Sequence, residues 1–534
     1  MNETKIKDRD RNYYVLAAIY FAIFFAATFV NIKSTQFMGV DEGSISEAIY
    51  GLFKHPYYNM MAWYHSRAYG WTFMAITAFA LIPFKLIFHV NNPEVTNYVI
   101  RLVLFLIGLS SVLVLYRLSV LVTTKKLISI AIAIVFMLSP AVANHLYTIH
   151  PESTGILFFL LGSLFFLRFL ENKVLKNYLF CLVFLVLSSL AKQAFFIMSM
   201  PLLLYILLDY CNWNYVKLFR FVSSSRFWKI LIGTIAISLG IAFVINPAAF
   251  LQFKEFVAVQ TSIARHFQAN MPLNVSMGIW FGIALNQPIV VAHTVLFMVV
   301  LCLFFIRKGI PRLFVFSVVT STAIMLLFMY TARDMQGARY LAVLYPVFLI
   351  NISCALISLY KKLGDSKPRL VGTIAITFLV GWGGAQGAAH TANVIFYNVM
   401  LHKQSLKYAS WNYIESLPKG TKIVFDPNVA LPDDRLSDAC HIWQGCGVMG
   451  FLEKFQPDYF ILYKDYQYTK WEVIDTYINT HNFCVIGELS PTMQDDFNPE
   501  GGVSQLVRTF EHNKNHDILG NKLTIWAKCQ EGKL

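Results

Sequence analysis

Charge is what this chain has least of. Asp, Glu, Lys and Arg make up 14% of its 534 residues, against about 25% in a soluble globular protein, while 57% are hydrophobic and the mean hydropathy is +0.54. That excludes a water-soluble enzyme built around one core and implies a polytopic membrane protein. Carboxylates are the scarcest charges. Residues 1–389 hold 13 Asp+Glu against 31 Lys+Arg, a net +18, whereas residues 390–534 hold 17 against 13, a net −4. The sequence has no glycine-rich nucleotide loop, no internal repeat and no low-complexity tract. The overall charge of +14 does not imply a nucleic-acid partner, because the basic excess lies between apolar runs, where membrane orientation requires it. The first run lacks a small-residue cleavage site and more runs follow, so it reads as a retained span rather than a signal peptide.

Apolar runs long enough to cross about 30 Å of hydrocarbon occur near 13–31, 97–116, 127–146, 154–170, 194–210, 230–247, 289–306, 313–330, 340–360 and 370–388, with a shorter one at 177–190. A further run, 69–89, decides the topology. If it does not cross, the inner loops hold 21 Lys+Arg, and the other 10 before residue 390 lie in outer loops or, as Arg101, inside a run. If it crosses, the positive-inside bias reverses. We therefore read 69–89, with Pro83, Lys85 and His89 near its end, as re-entrant or interfacial, which gives about 11 spans. The expected arrangement is a transmembrane domain over 1–389, with a first outer loop at 32–96, and an outer domain over 390–534. The N-terminus is then cytoplasmic, and all 13 histidines fall in outer loops, near the outer surface or in the tail.

The outer loop opens with an amphipathic pattern, Ile45, Ala48, Ile49, Leu52 and Phe53, ended by Pro56; this predicts a helix lying on the membrane surface. The tail alternates differently. Thr421–Phe425, Tyr459–Tyr463, Phe483–Gly487 and Leu523–Ala527 read as buried strands, and Lys470–Thr480 reads as a helix, giving a small soluble α/β domain. Of eight cysteines, Cys440 with Cys446 and Cys484 with Cys529 are candidate disulfides in an oxidising compartment; free thiols are the alternative.

Four polar clusters fall at one membrane face of this charge-poor chain: Asp41-Glu42, His150-Pro151-Glu152, Lys192-Gln193, and Arg333-Asp334 with Arg339-Tyr340. Paired carboxylates at a membrane boundary are costly and point to use. An acid or base together with cations beside hydrocarbon suits the handling of a phosphate attached to a lipid: a carboxylate takes a hydroxyl proton and cations hold the departing phosphate. One carboxylate with phosphate stabilisation implies a single displacement with inversion. Structural alternatives remain for each cluster. His150-Pro-Glu152 also reads as a helix start, Lys192 as a snorkelling lysine, and Arg339 as a partner of Asp334. His65, His145, His150, Glu152 and His266 are candidate metal ligands, but no two have a strong ligand spacing, so no metal and no cofactor is expected.

Asp-Glu in the first outer loop, the motif after span three, and Arg339-Tyr-Leu…Tyr345-Pro346 late in the membrane region resemble the GT-C glycosyltransferases. The resemblance is to the branch holding protein O-mannosyltransferases and the bacterial aminoarabinose transferase of lipid A, and it covers roughly residues 10–360. It implies a polytopic α-helical fold, a polyprenyl-phosphate-sugar donor such as undecaprenyl phosphate-linked sugar, an inverting reaction and a site facing the periplasm or lumen. By the same resemblance Asp41 is the general base, Glu42 supports it, and Arg339 and Lys192 are donor-phosphate ligands. The sequence departs from the aminoarabinose branch in two places. Gly43-Ser44-Ile45 follows the acidic pair where that branch has an arginine, and His65-Ser-Arg67-Ala-Tyr-Gly-Trp stands where it has Lys-Pro-Pro, which makes Arg67 a substitute phosphate ligand. The expected partners are the lipid-linked donor, membrane lipids, and a glycan, lipid or protein acceptor. The basic loops favour a bacterial inner membrane, while Asn274-Val-Ser276 in an outer loop keeps a eukaryotic origin open. The competing function is a transporter or flippase of lipid-linked sugars. That reading would call for repeats or midplane charges, and this sequence places its charges at one face.

Overall fold

A computed structural model describes residues 11–28, 49, 70–87, 93–254, 256–258, 261, 273–285, 287–306, 311–331, 341–362, 381–396, 406–426, 429–432, 435, 438–442, 448–463, 471–491, 493–494, 519–520 and 522–529. Contacts divide the chain into two compact units, one drawn from Met1–Ala26, Ala48–Val90 and Val99–Thr391, the other from Ala27–Glu47, Asn91–Tyr98 and Ala392–Leu534.

The first unit is helical. In chain order it contains, wholly or for the most part, α1 (Arg11–Thr28), α2 (Trp71–Ile82, continued by a π-helical turn Pro83–Ile87), α3 (Pro93–Thr123), α4 (Lys126–Leu138), α5 (Pro140–Tyr147), α6 (Glu152–Asn172), α7 (Leu175–Ala191) and α8 (Ala194–Tyr210). After these come α9 (Tyr215–Val222), α10 (Ser225–Ile245), α11 (Leu273–Leu285), α12 (Pro288–Ile306), α13 (Arg312–Thr331) and α14 (Tyr345–Lys362). Among the described residues five helices are long and apolar enough to cross a membrane, or up to eight if each of three bent pairs is one span. This makes the chain a polytopic membrane protein. Large apolar side chains stay exposed, among them Trp228, Ile232, Leu239 and Phe243 on α10. Such a face is tolerated where the surrounding solvent is lipid.

Hydrogen bonds fix which helix ends lie together. Along α1 and α3, Asn12 Nδ2 donates to Tyr116 Oη at 2.9 Å, and the Tyr20 ring lies 5.6 Å from Phe105. The two helices are therefore antiparallel. Arg101 Nη1 donates to the Tyr147 carbonyl at 3.0 Å, so the early part of α3 lies beside the turn into α6. Gly70 N donates to Ala191 O at 2.8 Å and Thr72 Oγ1 to Leu187 O at 2.8 Å, so α2 starts at the end of α7. Glu152 at the start of α6 meets Lys192 just past α7. Residues 70 and 101 thus share one end of the bundle. Were residues 71–87 to cross, the five residues 88–92 would have to recross about 30 Å of hydrocarbon, yet extended chain covers only about 17 Å. The geometry favours a segment that returns to the side it left.

The opposite end is basic. Lys173 pairs with Asp209, and α9 turns 106° away from α8. Asn214 caps α9 by accepting from Val216 N at 2.9 Å and Lys217 N at 3.1 Å, and its Tyr215 and Phe219 stay exposed beside Lys217 and Arg220. This is the pattern of a helix lying in a headgroup layer.

Small residues set the packing of α6. A Cβ on Gly155 would lie 2.2 Å from the Phe195 ring, and one on Gly162 would lie 2.6 Å from the Leu185 side chain. Close approach through small residues is how membrane helices gain van der Waals contact. Gly155→Ala is expected to cost about 1–3 kcal/mol through overpacking, read as a lowered melting temperature in detergent.

The second unit contains a five-stranded sheet in the order β2-β1-β3-β7-β4, formed by β1 (Ile423–Phe425), β2 (Ala439–His441), β3 (Tyr459–Tyr463), β4 (Phe483–Leu489) and, after the short pair β5 (Met493–Gln494) and β6 (Leu519–Gly520), β7 (Leu523–Lys528). β1 is parallel to β2 and β3, while β7 is antiparallel to β3 and β4. Alternate residues serve two cores. Ile423, Phe425, Ile461, Leu523 and Ile525 pack with Leu406 and Ile414 of helix Leu406–Ser416. Val424, Phe460, Leu462 and Trp526 pack with Leu452 and with Ile474 and Tyr477 of helices Met449–Phe455 and Trp471–Thr480. Because β1, β3 and β7 are covered on both faces, they read as continuous apolar runs, whereas the edge strand β4 leaves Val485 and Ile486 exposed.

Cys484 and Cys529 are disulfide-bonded with Cα atoms 5.2 Å apart, and Cys440 is disulfide-bonded as well. Cys446 lies outside the described residues. The Cys484–Cys529 bridge closes a separation of 45 residues, worth about 4 kcal/mol by the chain-entropy account. Replacing both cysteines by serine is expected to cost about 2–4 kcal/mol of the stability of this unit, measured by chemical unfolding with and without reductant.

Candidate active site

Three of the sequence-predicted residues fall among the described ones, and the fold brings them together. His150-Pro151-Glu152 forms the corner between α5 and α6. Pro151 occupies the cap position, where its fixed φ of −67° suits a helix start. Its carbonyl receives Thr154 N and Gly155 N at 3.1 and 3.2 Å, and Ser153 Oγ donates to His150 O at 2.8 Å. Glu152 therefore sits in the first turn of α6, where the helix dipole favours a carboxylate.

Lys192 comes from the tight connection between α7 and α8. Its backbone is extended (φ −157°, ψ 137°), its N–H donates to Ser188 O, and its carbonyl receives Phe195 N at 3.0 Å. Its Nζ donates to Glu152 Oε1 across forty positions of sequence. The pair is largely dry: the side chains are 5% and 17% exposed for Glu152 and Lys192. Lys192 is thus tied to a partner rather than merely reaching for headgroups. The helix-start role of His150-Pro151-Glu152 also holds, and the two readings coexist, because starting α6 is what places the carboxylate under Lys192.

Two residues enlarge the cluster. His145, fully buried near the end of α5, stands edge-on to His150 with ring centroids 5.3 Å apart. His150 Nδ1 lies 3.5 Å from Glu152 Oε2. Arg101 is buried within α3 and hydrogen-bonds the Tyr147 carbonyl beside this corner. Sequence reasoning took 97–116 as a plain span and passed over Arg101, although an arginine inside an apolar run is itself a signal.

Asp41, Glu42, Arg67, Arg333, Arg339 and Tyr340 lie outside the described residues, as do His65 and His266. Of the expected surface helix only Ile49 is described; it is helical and buried. His293 is fully buried between α12, α13 and α14, with Nε2 3.2 Å from Ser321 Oγ and 3.3 Å from Asn351 Nδ2, and its ring is stacked on Phe348 at 4.0 Å. A polar network of this kind joins membrane helices.

A cavity of about 690 Å³ runs along α6 on hydrocarbon walls that include Phe159, Leu160 and Leu167. At about 1.5 Å per residue, these residues lie about 10 to about 22 Å below Glu152. The cavity is set away from the charged cluster, and its lining suits a hydrocarbon chain rather than a sugar.

Residues 77–219 match the family model described as dolichyl-phosphate-mannose-protein mannosyltransferase. The matched segment carries Arg101, His145, His150, Glu152 and Lys192. The chain matches no curated protein. The match spans about a quarter of the chain, and it makes that segment similar to a family of GT-C superfamily membrane glycosyltransferases that take their sugar from a lipid-linked donor.

Proposed function

Proceeding from a GT-C-type membrane glycosyltransferase, we propose that this chain moves a sugar from a polyprenyl phosphate, undecaprenyl phosphate in a bacterial inner membrane, to a surface glycan, lipid or protein on the outer face. The observation that carries the proposal is the convergence at one end of the bundle. The Glu152–Lys192 pair, His150, buried Arg101 and Gly70, which opens α2, all meet there. A carboxylate, imidazoles and cations at a hydrocarbon boundary match the demands of a lipid phosphate better than those of a free sugar.

In the proposed reaction the acceptor oxygen attacks the anomeric carbon while Asp41 takes its proton, and Glu42 supports that carboxylate. The bond from the anomeric carbon to the phosphate oxygen breaks, its electron pair leaves with the polyprenyl phosphate, and configuration inverts. Arg339 and Arg67 receive the phosphate through the bidentate fork that arginine offers, and Arg333 and Tyr340 assist in binding the donor. Lys192 has three N–H donors, one of which goes to Glu152, so it contributes charge beside the phosphate while Glu152 and His150 set its position. The cavity along α6 takes part of the isoprenoid chain. The disulfides of the second unit support a place in an oxidising compartment, where it recognises the acceptor.

The test is label transfer. Membranes containing the chain are given a polyprenyl-phosphate donor radiolabelled in the sugar. Movement of label from the lipid-extractable fraction into acceptor supports the reading. Label that stays on the lipid but changes bilayer side supports a flippase instead.

A further inference from the structure

His145, His150 and Glu152 offer ligand atoms that all lie within 4.8 Å of one another. They come from the end of α5, the corner and the first turn of α6, and each is held there by local structure rather than by a long flexible loop. A second, independent feature points to a ligand. Glu152 Oε2 is buried and makes no hydrogen bond among the described residues. Its approach to His150 Nδ1, at 3.5 Å, is longer than the 2.7–3.2 Å of an N–H···O bond. Buried carboxylate oxygens are rarely left in this state, and an ion is one of the usual reasons. Lys192 occupies the other oxygen, Oε1, and leaves Oε2 turned toward the imidazoles.

Two imidazoles and one carboxylate form a nitrogen-rich donor set. Magnesium and calcium prefer all-oxygen shells, whereas zinc and its neighbours accept this mixture, commonly with an open fourth position. Around a tetrahedral ion with bonds of about 2.1 Å, ligand atoms stand about 3.4 Å apart. The three atoms are already within 4.8 Å, so small side-chain rotations would complete the geometry.

We propose that His145, His150 and Glu152 bind one divalent transition-metal ion, zinc by the chemistry of the donors. Lys192, on the carboxylate oxygen that the metal does not use, holds the ligating group in orientation. Metals that bind this way depend on such outer partners, which are worth about 10–100-fold in affinity. The ion joins α5 to α6 at the corner beside the charged cluster. The binding does not depend on the transfer reaction.

The test uses the full-length chain in detergent, prepared without a polyhistidine tag, stripped with a chelator and titrated with Zn2+. Bound metal is counted by mass spectrometry after desalting, and Co2+ loading is followed by its visible d–d absorption. One equivalent of zinc is expected in the wild type. His145→Ala, His150→Ala and Glu152→Gln should each weaken binding by at least about tenfold, while His65→Ala and His266→Ala leave it unchanged. His145→Gln, closer in polarity, serves where the alanine variant does not elute as folded protein. A chain that retains no zinc, or His145 and His150 variants that retain as much as the wild type, would overturn the proposal.

Discussion

Asp41→Asn is expected to lower the rate of sugar transfer by about 10²–10⁴-fold, the usual contribution of a general base. The substitution keeps the size and most of the polarity of the side chain but removes its ability to take a proton. Expression and donor binding should hold while turnover collapses, so the loss should fall on kcat rather than KM. Glu42→Gln should cost less, since a neighbouring carboxylate that raises basicity or positions the acceptor does not itself receive the proton. Transfer that survives in Asp41→Asn and collapses in Glu42→Gln or Glu152→Gln would move the base to that residue.

The second large effect concerns stability. Lys192→Met leaves the buried carboxylate of Glu152 without its cation, and removal of one partner from a buried pair costs about 3–5 kcal/mol. Glu152→Gln should cost less. The lysine is the more exposed partner, at 17% against 5%, and a bereaved ammonium on a four-carbon stem can reach the headgroups. The double variant Glu152→Gln/Lys192→Met should recover most of the loss. Unfolding in detergent of the wild type, both single variants and the double variant gives the coupling directly. A cycle that closes additively would mean that the two side chains act independently and that Lys192 only snorkels.

The parts of the fold that were legible were those where one physical rule dominates. In the tail, Tyr459–Tyr463 was read residue for residue, and the strands at Ile423–Phe425, Phe483–Leu489 and Leu523–Lys528 fell within two residues of their readings, because strands covered on both faces are uninterrupted apolar runs and the edge strand β4 still begins with one, Phe483–Ile486, although Val485 and Ile486 stay exposed. The three-residue strand Ala439–His441 and the two-residue pair Met493–Gln494 with Leu519–Gly520 carry no such run and went unread. In the membrane region, hydrophobic runs marked helices well, but they carry no record of bends such as the 106° turn between α8 and α9.

The candidate site divides the same way. Glu152 and Lys192 stood out because a charge is conspicuous in a chain with 14% charged residues. Their pairing, forty positions apart, is set by how α6, α7 and α8 pack, and no local spacing encodes it. His145 and His150 are five apart, an unremarkable ligand spacing, and they meet because the chain bends at Thr148-Ile149, where α5 has ended at Tyr147. Arg101 and His293 lay inside runs long enough to be read as hydrocarbon, and their partners come from other helices.

The most direct measurement is the fate of the donor lipid in proteoliposomes holding the purified chain, a labelled polyprenyl-phosphate sugar and an acceptor extract. The account predicts that one polyprenyl phosphate is released for each sugar moved to acceptor, because the bond between the anomeric carbon and the phosphate oxygen is the one that breaks. Donor recovered intact, with its sugar now on the other side of the bilayer, would contradict it.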